Sequence, residues 1–277
     1  MVSTRSASCS RVSLRPRRRK TAIVASSSCE TWKPARSKNA PRSPTRDRSS
    51  SRIRNATGNP CQSPIRHGAW QPSIPRGSPP YDEPVTRILL ARHGESDWNA
   101  QGRWQGHADR PLTETGRIQA ECLADRLAET PIDVIYSSDL RRAADTARIV
   151  GERLGTPVRL DAELREVDVG SWQGLSREDV ENRSPEAFRR WRDGGTGWEH
   201  GETYEAMAER VMAALRRIAC AHPDGHLLLV SHGGAIRAIH AAALGIGVGE
   251  YRRLQPVEPN AGLSAVAVED GRIARLD

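Results

Sequence analysis

Apolar residues are isolated along the first 84 positions and become periodic from residue 85 onward. Ile88–Ala91 reads as a short buried strand that stops at Arg92-His93-Gly94. A glycine-containing loop follows to Pro111. Thr113 reads as an N-cap, with a helix over Leu112–Thr130. Val134–Tyr136 is a second strand. Ser137-Ser138-Asp139 is expected to cap a helix over Leu140–Leu154, ended by Gly155 and Pro157. Val158–Leu160 gives a third strand. Ser184-Pro185 opens a short helix to Arg192, with proline in its first turn. Thr203–Ala221 is a long amphipathic helix. Leu227–Val230 is the clearest central strand and runs into Ser231-His232-Gly233-Gly234, with a helix to Leu244. Leu263–Val268 and Arg272–Leu276 close the chain as late strands. Strand–helix alternation of this kind predicts an α/β fold of three layers, a mostly parallel central sheet flanked by helices, over residues 85–277.

Charge sharpens the division. The chain of 277 residues carries a formal +8. Residues 1–84 hold 17 Lys and Arg against 4 Asp and Glu, and the remainder holds 25 against 30. The basicity therefore belongs to the leading segment and does not mark the folded part as a nucleic-acid binder. The leader is rich in Arg, Ser and Pro and is expected to be disordered, because it cannot bury enough surface to offset its ordering entropy. Three readings stay open for it: an upstream start without function, an organellar transit segment, and a weak anion or nucleic-acid contact. The expected compartment is the cytoplasm, or an organelle if the leader is a transit peptide. Cys9, Cys29, Cys61, Cys122 and Cys220 are scattered, so no disulfide framework or zinc site is expected. No apolar run of about 18 residues exists, which argues against a membrane span.

Three stretches share one layout, a strand with polar residues at its carboxyl end: Leu90–Gly94, Tyr136–Ala143 and Leu229–Gly233. Parallel strands bring such ends to one edge of the sheet. Two histidines and one or two arginines then surround a concave site. The glycines permit close backbone approach, and a helix N-terminus after Ser231 adds amide dipoles favourable to an anion. The arginines would repel a cation, so the assembly favours a phosphate dianion over a metal, and no cofactor is implied.

The same stretches resemble the motifs of the histidine phosphatase, or phosphoglycerate-mutase-like, superfamily. The similar segments are L-A-R-H-G-E-S-D-W-N at 90–99, Q-G-H-A-D-R-P-L-T at 105–113, S-D-L-R-R-A at 138–143, L-R-E-V-D-V-G-S-W-Q-G at 164–174 and V-S-H-G-G-A-I-R at 230–237. The resemblance covers nearly all of 85–277 and none of 1–84. It implies a ping-pong reaction through a phosphohistidine, with His93 as nucleophile. That ring must be neutral at its attacking nitrogen, which an ordinary histidine pKa of about 6.5 permits near neutral pH. Arg92 and Arg142 would hold the phosphoryl oxygens and His232 would complete the pocket. The S-x-L-x-R-A spacing selects Arg142 over Arg141, which is expected to face solvent or an ion pair. Glu166 matches the general acid, with Asp168 as its rival. A phosphate dianion beside Glu166 should keep the carboxyl protonated when substrate is bound. Asn99 would donate to phosphate, with Gln105, Gly106 and Gly233 in the same pocket.

Two functions share this site: a metal-independent phosphomonoesterase and a phosphoglycerate mutase. By the resemblance, mutases insert a long lid between acid and second histidine and carry H-G-N-S. Here Glu166 and His232 lie 66 positions apart and the motif is H-G-G-A. Both features look like the phosphatase branch, which includes α-ribazole and broad-specificity phosphatases, acting on a small phosphorylated metabolite. A third reading, a binding protein with a basic tail, is disfavoured because every expected catalytic position is filled. Trp98, Trp104 and Trp172 are either a substrate wall or core. His107 is expected on a surface loop, Glu202 as a helix-start charge, and His222, His226 and His240 as structural or exposed. The natural alcohol and the oligomeric state are not legible.

Overall fold

A computed structural model describes residues 84–276. The leader, and with it the expected disorder or targeting role of 1–83, lies outside the described residues. Six strands form one sheet in the order β3-β2-β4-β1-β5-β6. They are β1 (Thr86–Arg92), β2 (Val134–Ser137), β3 (Val158–Leu160), β4 (His226–Ser231), β5 (Leu263–Glu269) and β6 (Arg272–Leu276). The pairs β3–β2, β2–β4 and β4–β1 are parallel. The pairs β1–β5 and β5–β6 are antiparallel, so the mostly parallel sheet carries an antiparallel margin. That margin follows from chain economy: Asp270-Gly271, both at positive φ, make the tight turn that joins β5 to β6.

β1, β2 and β4 are buried on both faces, as their continuous apolar runs require. On one side pack α2 (Glu114–Arg126) and α3 (Arg141–Leu154), through Leu123, Ala124, Ala143, Ala147 and Val150. On the other pack α6 (Tyr204–Cys220) and α7 (Gly233–Ala243), through Met207, Val211, Leu215, Ile218, Ile236 and Ile239. These three layers are the predicted ones. Thr113 and Thr203 cap α2 and α6 by accepting from Gly116 N and Ala206 N. Gly155 ends α3 in the left-handed conformation.

Several expectations need correction. The N-cap of α3 is Leu140, which makes no side-chain cap bond; Ser138 Oγ instead accepts weakly from Leu140 N at 3.3 Å. α2 stops at Arg126 rather than Thr130. The region after Gly170 read as irregular holds α4 (Arg177–Arg183), capped by Ser176, before α5 (Pro185–Arg192). A further helix, α8 (Val248–Leu254), follows α7. The loop after Asn99 is preceded by a single helical turn, α1 (Asp97–Ala100). Cys122 is disulfide-bonded and Cys220 is a free, exposed thiol. No helix among the described residues is long and apolar enough to cross a membrane.

Candidate active site

The register of the sheet builds the site. Arg92 pairs with Ser231 and Ser137 with Val230, so three parallel strands end level. The residues just beyond those ends, His93, Ser138 and His232, fall at one edge. His93 and His232 face each other with ring centroids 5.1 Å apart, and both are buried. His93 N is tied back to Ser231 O at 3.0 Å. Its Nδ1 lies 2.7 Å from Gly94 O. A carbonyl only accepts, so Nδ1 carries the hydrogen and the lone pair is left on Nε2.

Two arginines border the rings. Arg142 is 1 % exposed, yet forms no ion pair among the described residues. Its Nη1 donates to Ala108 O at 2.8 Å and its Nη2 to Gly106 O at 2.9 Å. Arg92 Nη1 donates to Glu258 O at 2.7 Å. These carbonyls grip the outer edge of each fork. The Nε atoms of Arg92 and Arg142, and Nδ1 of His232, are buried without a partner. A buried donor without a partner costs about 1–3 kcal/mol, so two arginine donors beside an open ring nitrogen of His232 mark a site built for a ligand with several oxygens. Burial pushes the Arg142 guanidinium down to about 10, which still leaves it charged at neutral pH. Burial, then the charges of Arg142 and Arg92, hold His93 well below the usual histidine range. Burial and Arg142 do the same to His232. Both rings are thus held neutral.

Glu166 reaches the same edge from the segment after β3. Its Oε1 accepts from its neighbour Val167 N at 2.9 Å and its Oε2 from Gly234 N at 3.0 Å, at the start of α7. A Cβ on Gly234 would stand 2.1 Å from Glu166 Oε1, so only glycine leaves room for the carboxylate. Asp168, the rival acid, is occupied locally by accepting from Gly170 N at 3.0 Å. Arg141 is exposed and pairs with Asp145, as expected.

The predicted pocket residues divide. Asn99 Oδ1 accepts from Ser96 N at 3.2 Å and from Asn260 Nδ2 at 3.4 Å. Its oxygen is therefore held by Ser96 and Asn260. Gln105 Oε1 accepts from Ser96 Oγ at 2.8 Å, so its oxygen serves the loop. Gly106, at φ +50°, acts through its carbonyl on Arg142. Gly233 begins α7; a Cβ built there would meet the Val257 side chain at 2.4 Å and lie in ordinary contact with Arg92 Nε at 3.8 Å. Trp172 is core at 3 % exposure, and Trp104 packs against it at 5.1 Å; Trp98 is partly exposed and stacks under Arg110.

Four supporting residues escaped the sequence reading. His107 is not a free surface group: its Nε2 lies 2.8 Å from Glu166 O. Glu202 is more than a helix-start charge, since it holds Arg210 through both oxygens at 2.7 Å. Arg210 in turn donates to the carbonyls of Glu163, Arg165 and Glu166. Asn260 Nδ2 donates to His93 O at 3.0 Å. Pro256 and Pro259, just before an Asn-Ala-Gly turn, were the available signal for that last loop.

The arrangement gathers neutral histidine rings, buried arginine donors and a carboxyl group at one sheet edge. Among the described residues no three His, Cys, Asp or Glu side chains cluster as a metal ion would need. The family pattern described as histidine phosphatase superfamily (branch 1) matches residues 88–276. A glucosyl-3-phosphoglycerate phosphatase of Mycolicibacterium vanbaalenii is 39 % identical over 175 residues, 60 % of this chain and 78 % of that protein. A metal-independent phosphoserine phosphatase of Arabidopsis thaliana is 40 % identical over 162 residues, 56 % of this chain and 68 % of the other. The solved mycobacterial glucosyl-3-phosphoglycerate phosphatase complexed with VO3 superposes with a TM-score of 0.64 at 35 % identity, covering 69 % of this chain and 97 % of that one. By pattern, fold and relatives, the chain belongs to the histidine phosphatase superfamily, branch 1, as a phosphoric monoester hydrolase.

Proposed function

We propose that this chain is a metal-independent phosphomonoesterase for a small phosphorylated metabolite, working through a phosphohistidine at His93, with 85–277 as its catalytic domain. The observation that carries the reading is the set of three buried, unpartnered nitrogens, Arg92 Nε, Arg142 Nε and His232 Nδ1, around a histidine whose Nε2 lone pair is free. The named relatives act on phosphate esters of acids, glucosyl-3-phosphoglycerate and phosphoserine, and a phosphorylated hydroxy or amino acid is the substrate class that we take from them.

The steps follow from the donors. Arg92, Arg142 and His232 take the phosphoryl oxygens and offset their growing charge. His93 Nε2 forms the P–N bond as the ester P–O bond breaks, and Glu166 gives its proton to the departing alkoxide. Glu166 then removes a proton from water, whose oxygen attacks phosphorus. The P–N bond breaks, and phosphate and the original histidine are released. Asn99, by its amino group, and the backbone at Gly233 border the phosphoryl pocket; Gln105 and Gly106 hold the loop and Arg142.

The test is hydrolysis of an aryl phosphate by the full chain in EDTA. Activity should survive chelation and be lost in His93→Ala. Quenched wild-type enzyme should carry acid-labile, alkali-stable phosphate. Activity lost on chelation, or retained in His93→Ala, overturns the reading.

A further inference from the structure

A further buried donor near the cradle has no partner: Arg237 Nε. Arg237 follows Gly233 by four positions and Gly234 by three, so it sits on the same face of α7, about 6 Å along the axis. Helix side chains lean toward the N-terminus, which here is the end that holds Glu166 and touches Arg92. Gln255 O, which Arg237 contacts, lies three positions before Glu258, whose carbonyl receives Arg92 Nη1. Arg237 spends one donor on Gln255 O at 3.1 Å and forms no ion pair among the described residues.

Its arginine neighbours are differently employed. Arg252 stacks on Tyr204 at 4.1 Å and donates to Trp191 O, Gly194 O and Gly195 O. Arg253 donates to Asp193 O. Those two strap α8 to the end of α5. Arg237 alone of the three keeps a buried donor unspent.

We propose that Arg237 is a specificity residue that receives a carboxylate of the substrate, one helical turn from the phosphoryl pocket. The guanidinium fork matches a carboxylate, and a three-carbon phosphorylated acid spans that separation. This rests on the phosphatase reading above and deepens its substrate class.

The test compares 3-phosphoglycerate with glycerol 3-phosphate, which differ only in a carboxylate against a hydroxymethyl group. The full wild-type chain should have the higher kcat/KM for the carboxylate ester. Arg237→Gln should lower the ratio of the two kcat/KM values at least tenfold, and Arg237→Lys should recover part of it. If Arg237→Gln does not fold, Arg237→Lys alone should lower the ratio at least threefold. An unchanged ratio, or equal losses on both esters, overturns the proposal. If the wild type hydrolyses an aryl phosphate but neither ester, the phosphatase reading stands; hydrolysis of none of the three overturns that reading instead. Calorimetric titration of both esters into wild type and Arg237→Lys then decides the subsite, with loss of the carboxylate preference expected and equal affinities overturning it.

Discussion

Glu166 Oε2 accepts a hydrogen bond from Gly234 N at 3.0 Å, so the carboxylate stands against the first turn of α7, next to its N-cap His232. One side-chain atom thus links the segment after β3 to the end of β4. The contact needs the bare Cα of Gly234, because a Cβ there would lie 2.1 Å from Glu166 Oε1.

Gly234→Ala is therefore expected to displace the carboxyl and mimic its loss. Both Gly234→Ala and Glu166→Gln should reduce kcat by about 10²–10⁴-fold, the usual worth of a positioned general acid. Steady-state kinetics with an alkyl ester check this. An aryl ester with a good leaving group should lose less, because its departing oxygen needs little protonation. Equal losses on both esters would count against the acid role.

Arg210 holds Glu166 indirectly, through three backbone carbonyls and the Glu202 carboxylate. Arg210→Met should lower kcat by about 10- to 100-fold, since small misplacements of a reacting group are costly. The phosphate donors are untouched, so competitive inhibition by orthophosphate should be unchanged. A parallel weakening of orthophosphate would show general collapse of the site instead.

The parts of this molecule legible in the sequence were those with a local signal. Val134–Ser137 and His226–Ser231 are strands because their apolar runs are buried on both faces, and Thr113 and Gly155 act through their own backbone neighbours. The antiparallel β5, by contrast, is set by which edge of β1 remains free, and no residue of β5 records that. His107, Arg210 and Asn260 were missed because each acts on a distant backbone carbonyl, 59, 44 and 167 positions away. Gln105 and Gly106 were placed in the right loop, but whether they face a ligand or Ser96 and Arg142 is a question of rotamer and carbonyl direction that spacing does not carry.

Ser138 Oγ lies 2.9 Å from His232 Nε2 and already accepts from Leu140 N. When the hydroxyl donates to Nε2, the His232 proton sits on Nδ1, the unpartnered ring atom. Ser138→Ala should remove that bias and lower kcat/KM about tenfold, in line with about 1–3 kcal/mol for a buried group left unpaired. Nitrogen NMR of labelled histidine gives a direct readout. The wild type should show one neutral tautomer at His232 and the variant a mixture. A single unchanged tautomer in Ser138→Ala would remove the hydroxyl from the account.

His240 gives the fold an acid limit away from the site. Its ring is 1 % exposed, stacks on Tyr251 of α8, and has Nε2 2.8 Å from Ser264 Oγ of β5. Burial first, and then Arg275 of β6, push its pKa from the usual 6.5 down to about 4. The sign follows directly. Below about pH 6.5 the unfolded chain takes up a proton that the folded chain refuses, so stability is lost as pH falls from 6.5 toward 4. His93 and His232, also held low, act in the same direction. The His240 share is about 2 kcal/mol at pH 5 as an upper figure. Urea unfolding at pH 7 and pH 5 measures it. His240→Gln keeps a partner for Ser264 but does not titrate, so it should lose about 2 kcal/mol less than the wild type over that interval. Equal losses in the two proteins would show that His240 is not what sets the acid limit.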